Sequence, residues 1–546
     1  MHLSFEFAAI FLIFFQSFEK YENSLKTPVL FFLFLAASTC FSQSANLPLD
    51  HWAYSFLPRL EAKGLISSYE LRTRPLPRAR IALLINQIES NAAKNPQWMT
   101  RSDWKLLEQL ESDLGDELVS HPRNDKPISP EPHLIHWQEE NAVVSFDLLG
   151  RQEIRSYRGR QYQPDVLLSE TTLGGRLRGR LGNRIGFSAL AGNTLTRGEN
   201  RDPEDENFDP SQGSPVVTSG DNVYRDVAEA YFSWDNPWLR IEAGKDQASW
   251  GPFYNGGLAI SANSPPADLI RVSLRLKRLK FTYLHSWLRS SLGAKYLAAH
   301  RLDVMVMENL FLGVGETVIY GDRALEPSYL NPFMLYHIAE HHLGDRDNNN
   351  LFIDLTLTRI RNLSLFAEWY IDDMTTTASW TNYFGNKFGW AIGGLWSDAI
   401  GLPNIDFHFS YRKISPYVYS HWDSLNIYTH YDRIIGNQLG PNADNITLEI
   451  GNQFGRDFRV LVSADYTRKG HGEANTETRP RTGTQKDFLK GTIQEQRRVG
   501  FRIIDQVYRD LYFSIAYWYV DTRNLSFISD NNSYDHQVRL QVDMNY

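Results

Sequence analysis

The chain has a single cysteine, Cys40, in a stretch that reads as a removable leader, so the mature protein is left without a thiol. Disulfide frameworks, zinc–thiolate centres and cysteine nucleophiles are excluded together. Long apolar runs are scarce too. Beyond residue 45 no stretch long enough for a membrane helix is free of charge, and mean hydropathy is −0.40. This excludes a helical membrane protein but not a β-barrel, whose strands cross the bilayer with every second residue polar. An excess of positive charge is also missing: 56 Lys and Arg stand against 64 Asp and Glu, a net charge of −8, which gives a nucleic-acid backbone little to bind. There is no GxSxG elbow, P-loop or dinucleotide fingerprint. Neither an enzyme nor a cofactor is expected, and an outer-membrane lipase ranks a distant third among the readings.

Aromatic residues are plentiful, with 31 Phe, 27 Tyr and 14 Trp among 546 residues. The chain opens with a targeting region, 1–44. Within it, residues 25–44 carry Lys26, an apolar stretch from Val29 to Ala37, and small residues at Ser42 and Ser44 where a signal peptidase could cut. A second apolar patch, Phe7 to Phe15, is superfluous to such a signal and places the true initiator at Leu25. Ala37-Ser38-Thr39 is a poor approach to a lipidated cysteine, which argues against a lipoprotein anchor at Cys40.

Residues 45–120 have helical periodicity. Asp50 is placed to cap a first helix with Trp52, Phe56, Leu57 and Leu60 on one face and Gly64 as its stop. A second helix is expected from Arg78 to about Ala92, with Pro77 near its first turn and Ile81, Leu84, Ile85 and Ile88 as its stripe. A third runs from Ser102 with Trp104, Leu107, Leu110 and Leu114 inward. Short amphipathic helices bury such faces only against one another or a neighbour, so a bundle is predicted. A Pro-rich linker, 121–135, follows. HWAYSFLPRLEAKGLISSY with RPLPRARIALL behind it resembles the start of an S-layer-homology module, but Ala79-Arg80 replaces the expected acidic residue and there is one copy, so packing is the preferred role.

From 136 to 546 the period becomes two. Val538, Leu540, Val542, Met544 and Tyr546 alternate with Gln537, Arg539, Gln541, Asp543 and Asn545, one face for lipid and one for water. Ile405, Phe407, Phe409 and Tyr411 alternate likewise with Asp406, His408, Ser410 and Arg412. Eighteen strand-like runs can be counted, from 142–150 and 171–181 to 511–521 and 535–546, an even number as a closed barrel requires. Tight turns such as Gly182-Asn183, Asp235-Asn236-Pro237, Arg361-Asn362 and Gly455-Arg456-Asp457 alternate with long polar connections at 195–223, 321–350, 415–444, 469–495 and 522–534. The fold class expected is therefore an all-β transmembrane barrel behind a small N-terminal α-helical bundle. Short turns would face the periplasm and long loops the exterior. The strand ending at Tyr546 resembles the assembly signal read by the barrel-assembly machinery.

GKDQASWGPFYNGGLAIS (Gly244–Ser261), KYLAAHRLDVMVMENLFLGVGETVIYG (Lys295–Gly321), EPSYLNPF (Glu326–Phe333) and LGPNADNITLEI (Leu439–Ile450) resemble the Wzi family of capsule-assembly outer-membrane proteins, over essentially the whole mature chain. The resemblance implies an eighteen-stranded barrel with a periplasmic helical bundle, acting as a lectin that holds capsular polysaccharide on the bacterial surface. The expected partners are thus acidic surface polysaccharide and outer-membrane lipid, and the expected state a monomer. The alternative is a porin-like diffusion channel for sugars or anions.

Several constellations invite chemistry. His337-Ile338-Ala339-Glu340-His341 has the HxxEH spacing of a zinc site, but it lies in a long loop with no third ligand, so surface histidines are expected and no metal is assigned. Asp345-Arg346-Asp347-Asn348-Asn349 starts like a calcium loop but has Asn350 where the turn glycine belongs, which predicts a solvated loop. The acidic run Glu199–Asp209 reads as loop solvation. The candidate ligand-binding residues are lumenal. Arg176, Arg178 and Arg180 share one strand face, Arg240 and Glu242 another, and Arg271 and Arg275, with Lys277 beyond them, a third; guanidinium forks suit the carboxylates of acidic glycans. Trp250, beside Gly251-Pro252, offers a ring for sugar stacking. The competing reading of the arginines is that they pair with Glu242, Glu316 or Glu368 to fill a plugged barrel.

Overall fold

The structure, a computed structural model, describes residues 44–119, 132–182, 184–199, 215–219, 222–253, 256–375, 378–380, 382–508 and 510–545. The expected leader up to residue 43, the proline run of the linker, Asn183, residues 200–209 of the acidic run and Tyr546 lie outside the described residues.

Among the described residues four α-helices come first: α1 (Ala53–Ala62), α2 (Arg78–Lys94), α3 (Arg101–Asp113) and α4 (Gly115–Val119). The apolar stripes predicted for the first three make one buried cluster of Phe56, Leu57, Leu60, Ile81, Ile85, Ile88, Leu107, Leu110 and Leu114, with Trp104 partly buried at its edge. α3 starts at a capping box in which Thr100 and Asp103 satisfy each other's amides. Asp50 does not cap α1. The helix begins at Ala53, and the ring of His51 accepts the Ala53 amide instead at 3.2 Å. Gly64 does end it, at a φ of +81° that a side chain would strain.

Eighteen antiparallel strands then close into a barrel. They are β1 (Ala142–Gly159), β2 (Tyr162–Leu181), β3 (Ile185–Glu199), β4 (Asn222–Asp235), β5 (Leu239–Asp246), β6 (Ala267–Arg275), β7 (Leu279–Leu288), β8 (Lys295–Met307) and β9 (Leu310–Gly321). The second half comprises β10 (Asn348–Leu357), β11 (Leu363–Asp373), β12 (Lys387–Trp396), β13 (Ile405–Ile414), β14 (Ala443–Phe454), β15 (Phe458–Lys469), β16 (Gln494–Tyr508), β17 (Leu511–Arg523) and β18 (Ser533–Asn545). β18 pairs with β1, so no edge is left open. A short strand, Ile135–Glu139, starts at the last residue of the expected linker and adds to the start of β1.

Outward positions are apolar and inward ones polar. Leu148, Ile154, Leu173, Ile270, Leu302, Leu355, Ile392, Leu448 and Leu540 are exposed, whereas Arg240, Glu242, Arg271, Arg301, Asp303 and Asp354 are buried. On β12 the outward Trp390 and Trp396 stand roughly 20 Å apart along the strand, close to the height of a bilayer's apolar band. Trp390 stacks on Trp369 at 4.8 Å, the start of an aromatic girdle at the long-loop end.

Two expectations for the strands need correction. β1 and β2 extend to 18 and 20 residues and meet in a tight turn at Arg160-Gln161, so 151–170 is wall, not connection. By contrast β5 and β6 have only 8 and 9 residues. The upper part of the β1–β2 hairpin carries the outward-facing ion pair Arg158–Asp165, both side chains exposed, in place of an apolar face.

Candidate functional site

The interior of the barrel is occupied from both ends. At the short-turn end, α1 docks through charge: Arg59 Nη2 meets Asp398 at 2.6 Å, Arg59 also binds Asp406, and Lys63 Nζ bridges Asp103 and Asp398 at 2.6 and 2.7 Å. The Ala62 carbonyl accepts the Asn362 amide at 2.6 Å, and Thr100 and Gln109 bond Asn404 and Gln506 at 2.6 and 3.1 Å. These contacts touch several of the short turns, which fixes the helices at the short-turn mouth of the barrel.

The connection between α1 and α2 climbs inward from there. Thr73 and Arg74 pair with Trp250 and Ser249 in a two-stranded sheet, so the segment that follows β5 descends from the long-loop end to meet them. Arg74 donates to the Phe253 carbonyl at 2.7 Å and Gly251 donates to the Arg72 carbonyl at 2.8 Å. Further along the same segment the Leu258 amide donates to Glu368 at 2.9 Å. Gly257 has no alternative here, because a Cβ would lie 2.3 Å from the Trp250 carbonyl oxygen. The loop between β13 and β14 seals the upper side: Tyr419 and Tyr428 donate their hydroxyls to the Leu258 and Ala259 carbonyls at 2.7 and 3.0 Å. Trp250, Phe253, Leu258, Phe352, Tyr370, Tyr419 and Tyr428 form one buried apolar cluster inside the wall.

The candidate residues fall around this plug. Trp250 is 1% exposed and packs 6.0 Å from the Phe352 ring, so its face is covered by protein. Arg271 Nη1 lies 2.9 Å from Glu242 and 3.1 Å from Asp246, and its other nitrogen donates to the Gln247 carbonyl at 2.6 Å. Arg275 meets Asp235 at 3.2 Å and approaches Glu70 of the helical region at 3.8 Å. Arg240 binds Asp235 at 3.1 Å and Glu242 at 3.3 Å, while Asn46 ties Glu242 and Asp246 to the N-terminal segment at 2.8 and 3.1 Å. Lys277 is not part of this face; it is exposed in the turn after β6.

The acidic partners differ from those expected in two of three cases. Glu242 pairs with arginine as foreseen, but Glu316 points outward to His300 at 3.3 Å, and Glu368 serves backbone amides. A second buried arginine network went unforeseen: fully buried Arg301 holds Asp303 and Asp354, and Thr73 of the N-terminal segment donates to Asp303 at 2.6 Å. The alternation Arg301-Leu302-Asp303 was its only trace in the sequence.

Arg176, Arg178 and Arg180 share the lumenal face of β2, half-buried beside the helical region. Arg178 donates to His133 at 3.2 Å, and Arg178 and Arg180 line a cleft with Asp116 and Glu117 of α4. Asp116, His133 and His136 bring their ligand atoms within 4.8 Å of one another, yet both nitrogens of His133 are engaged, by Asp147 at 2.9 Å and by the Arg178 guanidinium. A second cation would be repelled there. The HxxEH residues lie on a short helix, Tyr336–His342, with His337 and His341 exposed and Glu340 buried on the other side, so the three do not converge on one ion. Asp347 is not solvated as expected; Arg323 holds it in a bidentate pair at 2.5 and 2.9 Å.

Among groups outside the strands, burial lifts the Glu70 carboxyl, but Arg80 and Arg275 outweigh that and hold it down at about 2. Asp103 is likewise buried and still kept below the usual carboxylate range, by Arg59 and then Lys63.

Solved structures with this architecture include Wzi of Escherichia coli, described as a carbohydrate-binding outer-membrane β-barrel involved in group 1 capsule assembly. It is 13% identical, with a TM-score of 0.60 over 92% of this chain and 99% of that one. OprD of Pseudomonas aeruginosa matches 74% of the chain at 12% identity and a TM-score of 0.43, and OccAB1 of Acinetobacter baumannii 74% at 10% and 0.43. No curated protein matches the chain in sequence. The family model described as capsule assembly protein Wzi matches residues 151–533. This chain therefore belongs to the Wzi family and is a β-barrel of the bacterial outer membrane.

Proposed function

We propose that this protein is a non-enzymatic, plugged anchor that binds acidic surface polysaccharide at its long-loop face and so aids capsule assembly. The observation that carries this reading is the doubly closed lumen. Thr73–Arg74 from below and Ser249–Trp250 from above pair in the middle of the barrel, and the arginines that could have lined a channel are spent on Glu242, Asp246, Asp303 and Asp354. A diffusion pathway needs free cross-section, and among the described residues the plug fills the middle of the barrel. Arg271, Arg275 and Trp250 belong to the scaffold in this reading, and polymer contact falls to exposed groups such as Trp422, 61% exposed on the loop between β13 and β14. Its indole is open to a sugar face.

Two measurements test this together. Planar-bilayer recordings should show little steady conductance, and fluorescent acidic polysaccharide should adhere to cells that carry the protein, less so with Trp422→Ala. Salt-proportional conductance without polymer retention would favour the channel reading.

A further inference from the structure

The connection between β9 and β10 does not stay above the membrane. It contains two short helices, Pro327–Leu330 and Tyr336–His342, and folds down over the outer surface of β7, β8 and β9. Side-chain alternation fixes the side. Leu297, Ala299 and Arg301 face the plug, whereas Ala298 and His300 share the face of exposed Leu302 and pack against the connection. Tyr329, Tyr336 and Ala339 bury with Ala298, Val318 and Tyr320 in a cluster separate from the lumenal one.

How far down it reaches is set by Phe333, which stacks on Phe281 at 5.2 Å. Phe281 is the third residue of β7 from the short-turn end, so the tip lies roughly 20 Å along the strand below the long-loop end. The wall beneath is unusual for a lipid-facing surface. Tyr283, His285, His300 and Glu316 all point outward there, and acyl chains cannot solvate them. The connection satisfies them or covers them: Tyr283 donates to the Tyr329 carbonyl at 3.1 Å, Glu316 accepts the Tyr336 amide at 2.7 Å, and the Tyr336 ring lies 4.4 Å from His300. His285 bonds Tyr320 at 2.9 Å and is 1% exposed.

Its other face is largely apolar. Leu330, Phe333, Leu335 and Ile338 are 40, 70, 55 and 48% exposed, and they continue the belt begun by Leu302 and Ile270 on the wall. Asn331 and His337 are exposed between them, and polar groups dominate where the segment climbs back, at His341, His342 and Arg346. Several backbone amides at the tip are bonded within the protein, as a lipid setting favours. Leu330 donates to Glu326, Met334 to the Asn331 carbonyl, Phe333 to the Asn331 side chain and Ala339 to Leu335.

We propose that residues 322–347 form a re-entrant segment embedded in the outer membrane, whose Leu330–Phe333–Leu335–Ile338 face contacts lipid acyl chains while its inner face shields a polar strip of the barrel wall. Continuity with the lipid-facing belt selects lipid as the occupant over water or a second copy of the chain.

Single cysteines test this, since Cys40→Ser leaves a cysteine-free chain. Spin labels on Phe333→Cys, Leu335→Cys, Ile338→Cys and His342→Cys, in phosphatidylcholine nanodiscs, report collision with oxygen, which enriches in lipid, and with a nickel chelate, which stays in water. Heat-modifiable migration identifies the folded variants, and Leu335→Cys stands in should Phe333→Cys fail to fold. The expected result is oxygen access with nickel exclusion at 333, 335 and 338, reversed at 342. Nickel access at all four positions would overturn the proposal, as would shielding from both reagents with dipolar coupling between labels, the signature of a second copy.

Discussion

At the scale of single residues, the interior arginines are set apart by what removing them would leave behind. Arg271→Ala leaves Asp246 without its arginine and Glu242 with Arg240 alone in a dry interior, and breaking a buried pair in this way costs about 3–5 kcal/mol. The expected outcome is a clear fall in the temperature at which the folded band is lost on a gel, with polymer retention at lower temperature preserved. Arg176, Arg178 and Arg180 sit nearer the solvent, beside Asp116 and Glu117. Replacing all three with Gln should lower thermal stability modestly and leave retention unchanged. Weakened, less salt-sensitive retention with normal stability would instead assign them to the polymer. The sequence places these side chains on common faces through the period of two, and that much is visible without a structure. Their partners are not. Asn46 binds Glu242 across 196 residues and Thr73 binds Asp303 across 230, and no local pattern records such a pairing.

At the scale of elements, the helices and strands were legible because each buries one stripe of a regular period, and the tight turns because glycine, asparagine and aspartate mark them. The connections were not. The segment after β5 is rich in glycine and small residues and serves as a plug where backbone approaches backbone, a docking that no local period records. The segment after β9 left one trace: Tyr283, His285, His300 and Glu316 interrupt the apolar face of their strands, a sign that something other than lipid lies against them. The docked helices carry their own pH dependence. Glu70 and Asp103 are depressed in the folded protein, so their contribution is complete above about pH 4.3, the ordinary range of a free glutamate, and is lost as pH falls toward 2. Acid should therefore loosen the helices before the barrel. Amide hydrogen exchange between pH 4.5 and 2.5 should accelerate in α2 and α3 while the strand ladder stays protected, and uniform acceleration would refute the separation.

At the scale of the whole molecule, a closed ladder satisfies every strand within the wall, so heat-modifiable migration and a β-rich circular dichroism spectrum in detergent are expected. Recovery from cells without detergent would contradict the membrane assignment. The strands that build the wall are unequal, and this has a consequence for anything resting on its upper edge. About ten residues cross a bilayer, while β1 and β2 run to 18 and 20 and carry a charged Arg158–Asp165 pair on the side that would otherwise meet lipid. That hairpin must rise clear of the membrane, by roughly 20 Å at the usual strand tilt. β5 and β6, at 8 and 9 residues, barely span. Among the described residues the upper edge of the wall is thus a high parapet at β1 and β2 and a low sill at β5 and β6, and a polymer held there under the proposed reading would be buttressed on the tall flank.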